Sequence, residues 1–485
     1  MRPTRLFGGI RLLDRPSPAN VLRLDTLSLP LLVRMHQNGI WLNPSTLASL
    51  SQEAAGEMSR LEGEIRRHIP DRSLALSFNP GSPDQIARLL FDVLKLEPAT
   101  AAKPTPTGKR LTVDDEVLSQ MAPDHPVIEC LRDWRELAKL KGTYIDTLAG
   151  YCGPDGRLRT TFRDTVARTG RLSSEDPNLQ NIPIRSKLGA RIRSAFQVDP
   201  RYRGKTILGS LDLSQIEMVM AAQLSGDAAM QNVFRRGEDI HIQTVAGVWG
   251  YDPRALARDW AIYKALPGGQ ATPAAAAALW ADLAELQELA SRMRQVELYQ
   301  RLPMKQVGFG ILYGQTPAGV QASVLSIGGP LLTEEDCARY IQNWFTVYPA
   351  VSAWLELQYQ RARRYGMVWD LFGRPRLIPG VRSALRGVVN EALRQCGNTP
   401  IQGSAAGVLK LGMAEIEPLV ASYQGNADLV CLPLLQIHDE LIFELSREIA
   451  PEFLEIACGL LETCCPLDVP VRASLSTGEN WQQLK

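Results

Sequence analysis

The chain has 485 residues, 45% of them hydrophobic and 22% charged, and its 53 Lys+Arg against 52 Asp+Glu leave a formal net charge of +1. That balance excludes wholesale disorder, and the length points to roughly three domains or subdomains. The bulk charge names no partner. No apolar run reaches the length of a transmembrane helix, and the basic start MRPTRLFGGIRLLDRP lacks the apolar stretch and cleavage site of a secretory leader. The eight cysteines are scattered, with neither metal-ligand spacing nor a disulfide framework, so the reading is a reducing, cytoplasmic protein with no membrane partner.

Residues 1–23, rich in Arg and Pro, read as a poorly ordered lead-in. From Thr26 to His68 apolar residues recur at helical spacing, with a helix start at Pro44-Ser45. In FNPGSPDQIARLLFDVLKL, Ser82 suits an N-cap and Pro83 the first helical position. A Pro/Thr loop follows at 97–112, and Val127 to Gly150 is helical again. Residues 151–212 are richer in Gly, Asn, Pro and Thr, and TILGSLDLS reads as a buried strand. Residues 214–310 are helical, with an Ala/Leu-rich helix or hairpin at 271–300. LLQIHDELIFEL, 434–445, reads as a β-hairpin, and VPVRASLSTGENW as a final strand. The class is mixed α/β: a helical front, a central helical insert, and strands on either side of that insert.

Local charge is more informative than the total. Arg157 to Lys205 holds 12 Lys/Arg against 4 Asp/Glu, and Tyr359 to Arg394 holds 8 against 2. Leu434 to Glu462 reverses this, with 1 against 7. Two basic stretches and one acidic stretch fit a polyanion path beside a cation site, although solvated faces cluster charge in the same way.

Four stretches carry candidate chemistry. Asp212 ends an apolar strand, where a rigid carboxylate suits a hard cation; an Asp in that place more commonly caps a helix. Asp439-Glu440 puts two acids inside an apolar hairpin, a burial that a cation would offset. In RLPMKQVGFGILYG, Arg301, Lys305, Phe309 and Tyr313 drift about 40° per step on a helix and share one face. Two cations and then two aromatics suit a phosphate tail beside a stacked base, where the plainer reading is an amphipathic helix with solvated cations. Gly308 and Gly310 within it weigh against mere stability. RTGRLSS followed by PNLQNIPIR is a donor-rich loop suited to phosphate and base-edge contacts, or an ordinary surface loop.

Together these stretches resemble the A-family DNA polymerases, from about Leu24 to Trp481. DLSQIE at 212–217 resembles motif A, RLPMKQVGFGILYG at 301–314 motif B, and QIHDE at 436–440 motif C. TGRLSSEDPNLQNIPIR at 169–185 is similar to the primer-template stretch. The resemblance implies an α+β right-hand fold. Residues 24–150 would be thumb, 151–225 and 390–485 palm with an antiparallel sheet, and 226–389 fingers. It implies a DNA-directed DNA polymerase that extends a primer with dNTPs, using two Mg2+ ions held by Asp212, Asp439 and the Leu213 carbonyl, with Glu440 in support. Arg301, Lys305, His241 and Gln215 would meet the nucleotide; Phe309 would stack on it and Tyr313 would occupy the template position. Glu217 would be the gate against a 2′-hydroxyl. Arg171, Asn178, Gln180, Arg394, Asn398, Gln402 and His438 would contact primer and template.

The departures are Leu213 and Val219 in motif A, Pro303 just after Arg301, and Phe309 in place of Tyr. The distance from His241 to Arg301 exceeds that of typical members, so residues around 257–299 read as a fingers insertion, most simply a helical hairpin with no role of its own. Few residues precede the thumb and no acidic exonuclease motif is present. The expectation is synthesis without 3′–5′ proofreading, for a phage or mobile element or for repair, with room for a separate exonuclease or processivity partner. A catalytically silent DNA-binding scaffold would have lost Asp212, Asp439 or Lys305; reverse transcriptase or RNA polymerase activity is disfavoured by Glu217 and the motif B pattern.

Overall fold

A computed structural model describes residues 17–99, 102–105, 110–182, 187–279 and 281–484. Residues 183–185, the end of the donor-rich stretch, lie outside the described residues, as do the first 16 positions of the expected lead-in. The rest of that lead-in is helix. α1 (Pro18–Asn38) starts where the Ser17 hydroxyl accepts from the Asn20 amide at 3.3 Å and Pro18 fills the first turn. It stops at Gly39, whose φ of +59° and close approach to the Leu158 carbonyl exclude a side chain.

β1 (Ile40–Leu42) pairs antiparallel with β2 (Arg157–Leu158) and β3 (Phe196–Gln197). α2 (Pro44–Arg67) and α3 (Pro126–Leu140) pack together. Ile65, Phe78, Ile86, Leu90, Val117 and Leu131 close a separate helical core at the front. As read from sequence, Ser82 caps a helix with Pro83 in its first turn. The first helix does not belong to this front core. Its apolar face, Val21, Leu24, Leu31, Leu32 and Met35, joins the core under the main sheet, so no break in packing falls at residue 24. Asp25 anchors it there, bonded to the buried Lys410 at 2.6 Å and to Arg374 at 2.7 Å.

The main sheet is built from β4 (Thr206–Leu213), β5 (Cys431–Ile437), β6 (Glu440–Ser446) and β7 (Ala473–Gly478). Its order is β7-β4-β6-β5, all antiparallel. The helices between β4 and β5 include α4 (Ile216–Ser225), α5 (Ile240–Trp249), α6 (Pro253–Ala265), α7 (Pro273–Leu279), α8 (Leu283–Val296), α9 (Leu302–Leu312) and the long α10 (Arg386–Gln424). α11 (Ala450–Thr463) packs on β4, and its Phe453 meets Phe443 of the neighbouring β6 edge-on at 5.2 Å. Every residue of β6 is buried, which is why its sequence is a nearly continuous apolar run.

The exception in that run, Glu444, is fully buried and satisfied. It accepts from Arg157 at 2.6 Å, the Asp199 amide at 2.8 Å and the Thr206 hydroxyl at 3.1 Å. Arg157 also binds Asp199 at 2.8 Å and the Gly39 carbonyl at 2.9 Å, tying the small sheet to the large one. Removing one partner strands a buried charge. Arg157→Ala is therefore expected to destabilise the fold by about 3–5 kcal/mol in chemical denaturation. A loss below about 1 kcal/mol would contradict this network.

Candidate active site

β4 delivers Asp212 to the sheet's end, and the β5–β6 turn delivers His438 and Asp439 beside it. Glu440 stands directly opposite Asp212 in the antiparallel register. The Leu213 amide donates to the Asp439 carbonyl at 3.1 Å, fixing the turn against the strand end. His438 takes φ of +54°, the left-handed turn that brings Asp439 round. The helix-capping alternative for Asp212 does not hold. The cap of α4 is Gln215, at φ +52° and without a side-chain capping bond. Asp212 instead lies close enough to act on Asp439: burial above all, with the charges of Glu217 and Asp212, raises the Asp439 carboxyl to about 6 against the opposing Arg171.

That crowding is the test of whether the residues fit divalent cations. Two aspartates far apart in sequence converge at one sheet end, where burial and like charge raise the Asp439 carboxyl, and such oxygen donors suit a hard cation. Among the described residues no group of three or more His, Cys, Asp or Glu forms a complete cage. The oxygen atoms that β4 and the β5–β6 turn bring to this sheet end are those of Asp212, Asp439 and the Leu213 backbone.

The expected helical stripe is present. Along α9, Pro303, Met304, Val307, Gly308, Ile311 and Leu312 are buried, whereas Arg301, Lys305, Phe309 and Tyr313 are partly exposed. Pro303 is tolerated because it sits in the first turn, just after a wide π-type turn at Glu297–Arg301 that joins α8 to α9. The two glycines have a structural cause. A Cβ at Gly310 would lie 2.9 Å from Val320 and Gln315, and one at Gly308 would touch Trp344 at 3.4 Å. They let the helix's buried side pack closely against these neighbours.

Glu217 is buried at the start of α4 and holds two groups at once. The Tyr313 hydroxyl donates to both its oxygens at 2.8 Å, and Arg171 pairs with it at 2.5 Å. Burial and the Glu217 charge raise the Tyr313 phenol to about 12. Arg301 pairs with Asp239 at 2.8 Å and Glu297 at 3.2 Å. His241 is buried, 6.1 Å from the Phe309 ring centre to centre. Gln215 is exposed just past the end of β4.

The other candidates line the approach. Asn178 and His438 are exposed; Arg394 and Asn398 lie half-buried on α10, where Arg394 pairs with Glu391. Gln402 is nearly buried and bonds Tyr313. Gln180 is buried, donating to Gln436 at 2.9 Å, and Gln436 donates to the His438 carbonyl. Gln436, Asp239, Glu297 and the Lys410–Asp25 pair were not singled out from sequence. Asp239 alone left a trace, as a capping Asp two places before His241.

A family model described as DNA polymerase family A matches residues 44–260 and 282–483. The chain belongs to DNA polymerase family A. Its relatives within that family include the thermostable DNA polymerase I of Thermus thermophilus, 36% identical over 456 residues, which is 94% of this chain and 47% of that protein. DNA polymerase I of Deinococcus radiodurans is 33% identical over 465 residues, 95% of this chain and 42% of that protein. The chain thus spans about half the length of these curated relatives. Among solved structures, it resembles the POL domain of Pol1 from M. smegmatis in complex with DNA primer-template and dNTP. The TM-score is 0.74 at 29% identity, covering 96% of this chain and 72% of that one. The mixed α/β right-hand architecture is therefore that of the family A polymerase domain. The family match breaks at 261–281, within the region expected to be inserted.

Burial holds the His241 imidazole down to about 4; Asp239 opposes this, and Arg301 and Lys305 add to it. The side chain is thus neutral at pH 5, where an ordinary histidine is charged. Because the folded value lies below the unfolded one, this group disfavours folding as pH falls from about 6.5 towards 4. In NMR titration one of the five histidines, assigned through His241→Gln, should stay unprotonated at pH 5. A midpoint near 6.5 for that residue would contradict the buried site.

Proposed function

We propose that this chain is a DNA-directed DNA polymerase, adding dNTPs to the 3′ end of a primer on a DNA template. The observation that carries this reading is the convergence of Asp212 and Asp439 at one end of an antiparallel sheet, linked through Arg171 and Glu217 to Tyr313, the last member of the stripe Arg301, Lys305, Phe309 and Tyr313. In this reading residues 24–150 serve as the thumb, 151–225 and 390–485 as the palm, and 226–389 as the fingers. α1 is attached to the palm through its packing.

Bound magnesium ions would lower the pKa of the primer hydroxyl and neutralise charge on the departing pyrophosphate. The chain's own groups do the rest. Asp212 and Asp439, with Glu440 behind them, hold the cation site rigidly on paired strands. Arg301 and Lys305 bind the triphosphate, and Lys305 gives a proton to the leaving pyrophosphate. Phe309 stacks on the incoming base. Tyr313 holds the template position through its bond to Glu217 until a nucleotide displaces it. The Glu217 carboxylate, fixed by Arg171 and Tyr313, crowds the sugar edge where a ribonucleotide would carry its 2′-hydroxyl. Arg171, Asn178, Gln180, Arg394, Asn398, Gln402 and His438 face the duplex. These 485 residues contain no acidic exonuclease motif, and we include in the proposal that they extend a mismatched primer end without excising it.

Primer extension tests the reading. Asp212→Asn and Asp439→Asn should each lower the rate roughly a thousandfold, the effect of several kcal/mol of charge stabilisation at phosphorus, with primer-template still bound. Extension at the wild-type rate by either variant would refute the assignment. Binding without extension by the wild-type chain would favour a silent scaffold. Lys305→Ala should slow the chemical step by about 10²–10⁴-fold while leaving DNA affinity nearly unchanged; equal losses in both would refute the proton-donor role. Glu217→Ala should raise incorporation of NTPs relative to dNTPs, and an unchanged ratio would remove Glu217 as the gate.

A further inference from the structure

The expected fingers insertion is not detached from the site. Leu266, Ala275, Ala276, Leu286 and Ala290 form a small core of their own among α6, α7 and α8. Asp259 on α6 pairs with Arg292 on α8 at 2.5 Å and so clamps the two helices together. The neighbouring Trp260 is buried, with Tyr263 packed against it at 5.4 Å between ring centres. The free face of Trp260 lies under Arg301, whose guanidinium carbon is 4.7 Å from the ring centroid.

Arg301 is therefore caged on three sides. Asp239 holds one terminal nitrogen at 2.8 Å, Glu297 holds the other at 3.2 Å, and Trp260 holds the flat face. Its Nε is buried with no hydrogen-bond partner, so the polar contacts of the group are those of its two terminal nitrogens. The three contacts differ in kind. Each carboxylate occupies N–H donors that a triphosphate would need. The indole occupies none: it fixes the plane through a cation–π contact and leaves every donor available. Trp260 and Glu297 both fall in the region around 257–299 and flank the 261–281 segment that the family match skips; Tyr263, Leu266, Ala275 and Ala276 of the packing behind Trp260 lie within that segment.

We propose that the inserted helices tune nucleotide affinity through Arg301. Trp260 acts as a positioning residue that preorganises the guanidinium for the triphosphate, and Glu297 competes with that triphosphate for the same donors. The inference rests on the polymerase reading of the site. Preorganisation spares a long, rotamer-rich side chain its ordering cost on binding, so losing the ring should weaken the nucleotide complex and leave the chemical step alone.

Single-nucleotide incorporation by the full chain, on a primer-template with the complementary dNTP, separates these roles. Trp260→Ala should raise KM for the dNTP about tenfold, with kcat and primer-template affinity within about twofold of wild type. Trp260→Phe keeps a weaker aromatic face and should recover most of that loss, to within about threefold of wild type. Glu297→Gln should move KM the other way, lowering it about two- to threefold. Opposite signs from two members of one cage are not what a general packing role produces. The proposal is overturned if Trp260→Ala leaves KM unchanged, if it lowers kcat and DNA affinity together with KM, if Trp260→Phe behaves as Trp260→Ala, or if Glu297→Gln raises KM. A wild-type chain that incorporates nothing defeats the polymerase reading itself; normal wild-type incorporation beside an unaltered Trp260→Ala variant defeats only the role of the insertion.

Discussion

Two carboxylates that repel each other are held together by backbone geometry. The Leu213 amide bonds the Asp439 carbonyl, and antiparallel pairing sets Glu440 opposite Asp212. The aspartates lie 227 positions apart in sequence, and only β4 and β6 side by side bring them together. Burial and like charge then raise the Asp439 carboxyl to about 6, an arrangement that a pair kept for stability alone would not favour. The rest of the molecule holds that sheet end in place. The buried Arg157–Glu444–Asp199 network fixes the far end of the same strands, and the Asp25–Lys410 pair fixes the first helix to the long one.

The helical part of the site follows a similar division. α9 turns its small and apolar residues inward, where Gly310 allows contact with Val320, and leaves Arg301, Lys305, Phe309 and Tyr313 towards the cleft. Arg301 and Tyr313 on that face already have protein partners: Asp239 and Glu297 for Arg301, Glu217 for Tyr313. A substrate that met these two groups would exchange partners with them and would not have to desolvate them as bare groups.

Much of this was legible in the sequence, for reasons that differ by element. The strand at 206–213 and the hairpin at 434–445 were readable because dense apolar runs with a polar centre have few other solutions, and the α9 stripe because a four-residue spacing persists over three turns. Ser82 and Pro83 announced a helix start by local chemistry alone. What stayed hidden depends on tertiary contact. The first turns of α1, up to residue 23, read as part of a loose lead-in although helical spacing was visible from Thr26; that the helix packs on the main core shows only once β5 and α10 are beside it. Gln436 reads as one more polar residue in a strand until Gln180 meets it. Trp260 carries no motif, and its place under Arg301 depends on the packing of α6 against α8.

The most direct test of the central claim is a crystal structure of the chain with primer-template DNA, a non-hydrolysable dNTP and manganese in place of magnesium, with the metal located by anomalous scattering. The account predicts two manganese peaks bound by both Asp212 and Asp439, between the primer terminus and the triphosphate. Manganese bound elsewhere, or a triphosphate seated away from these two side chains, would contradict it.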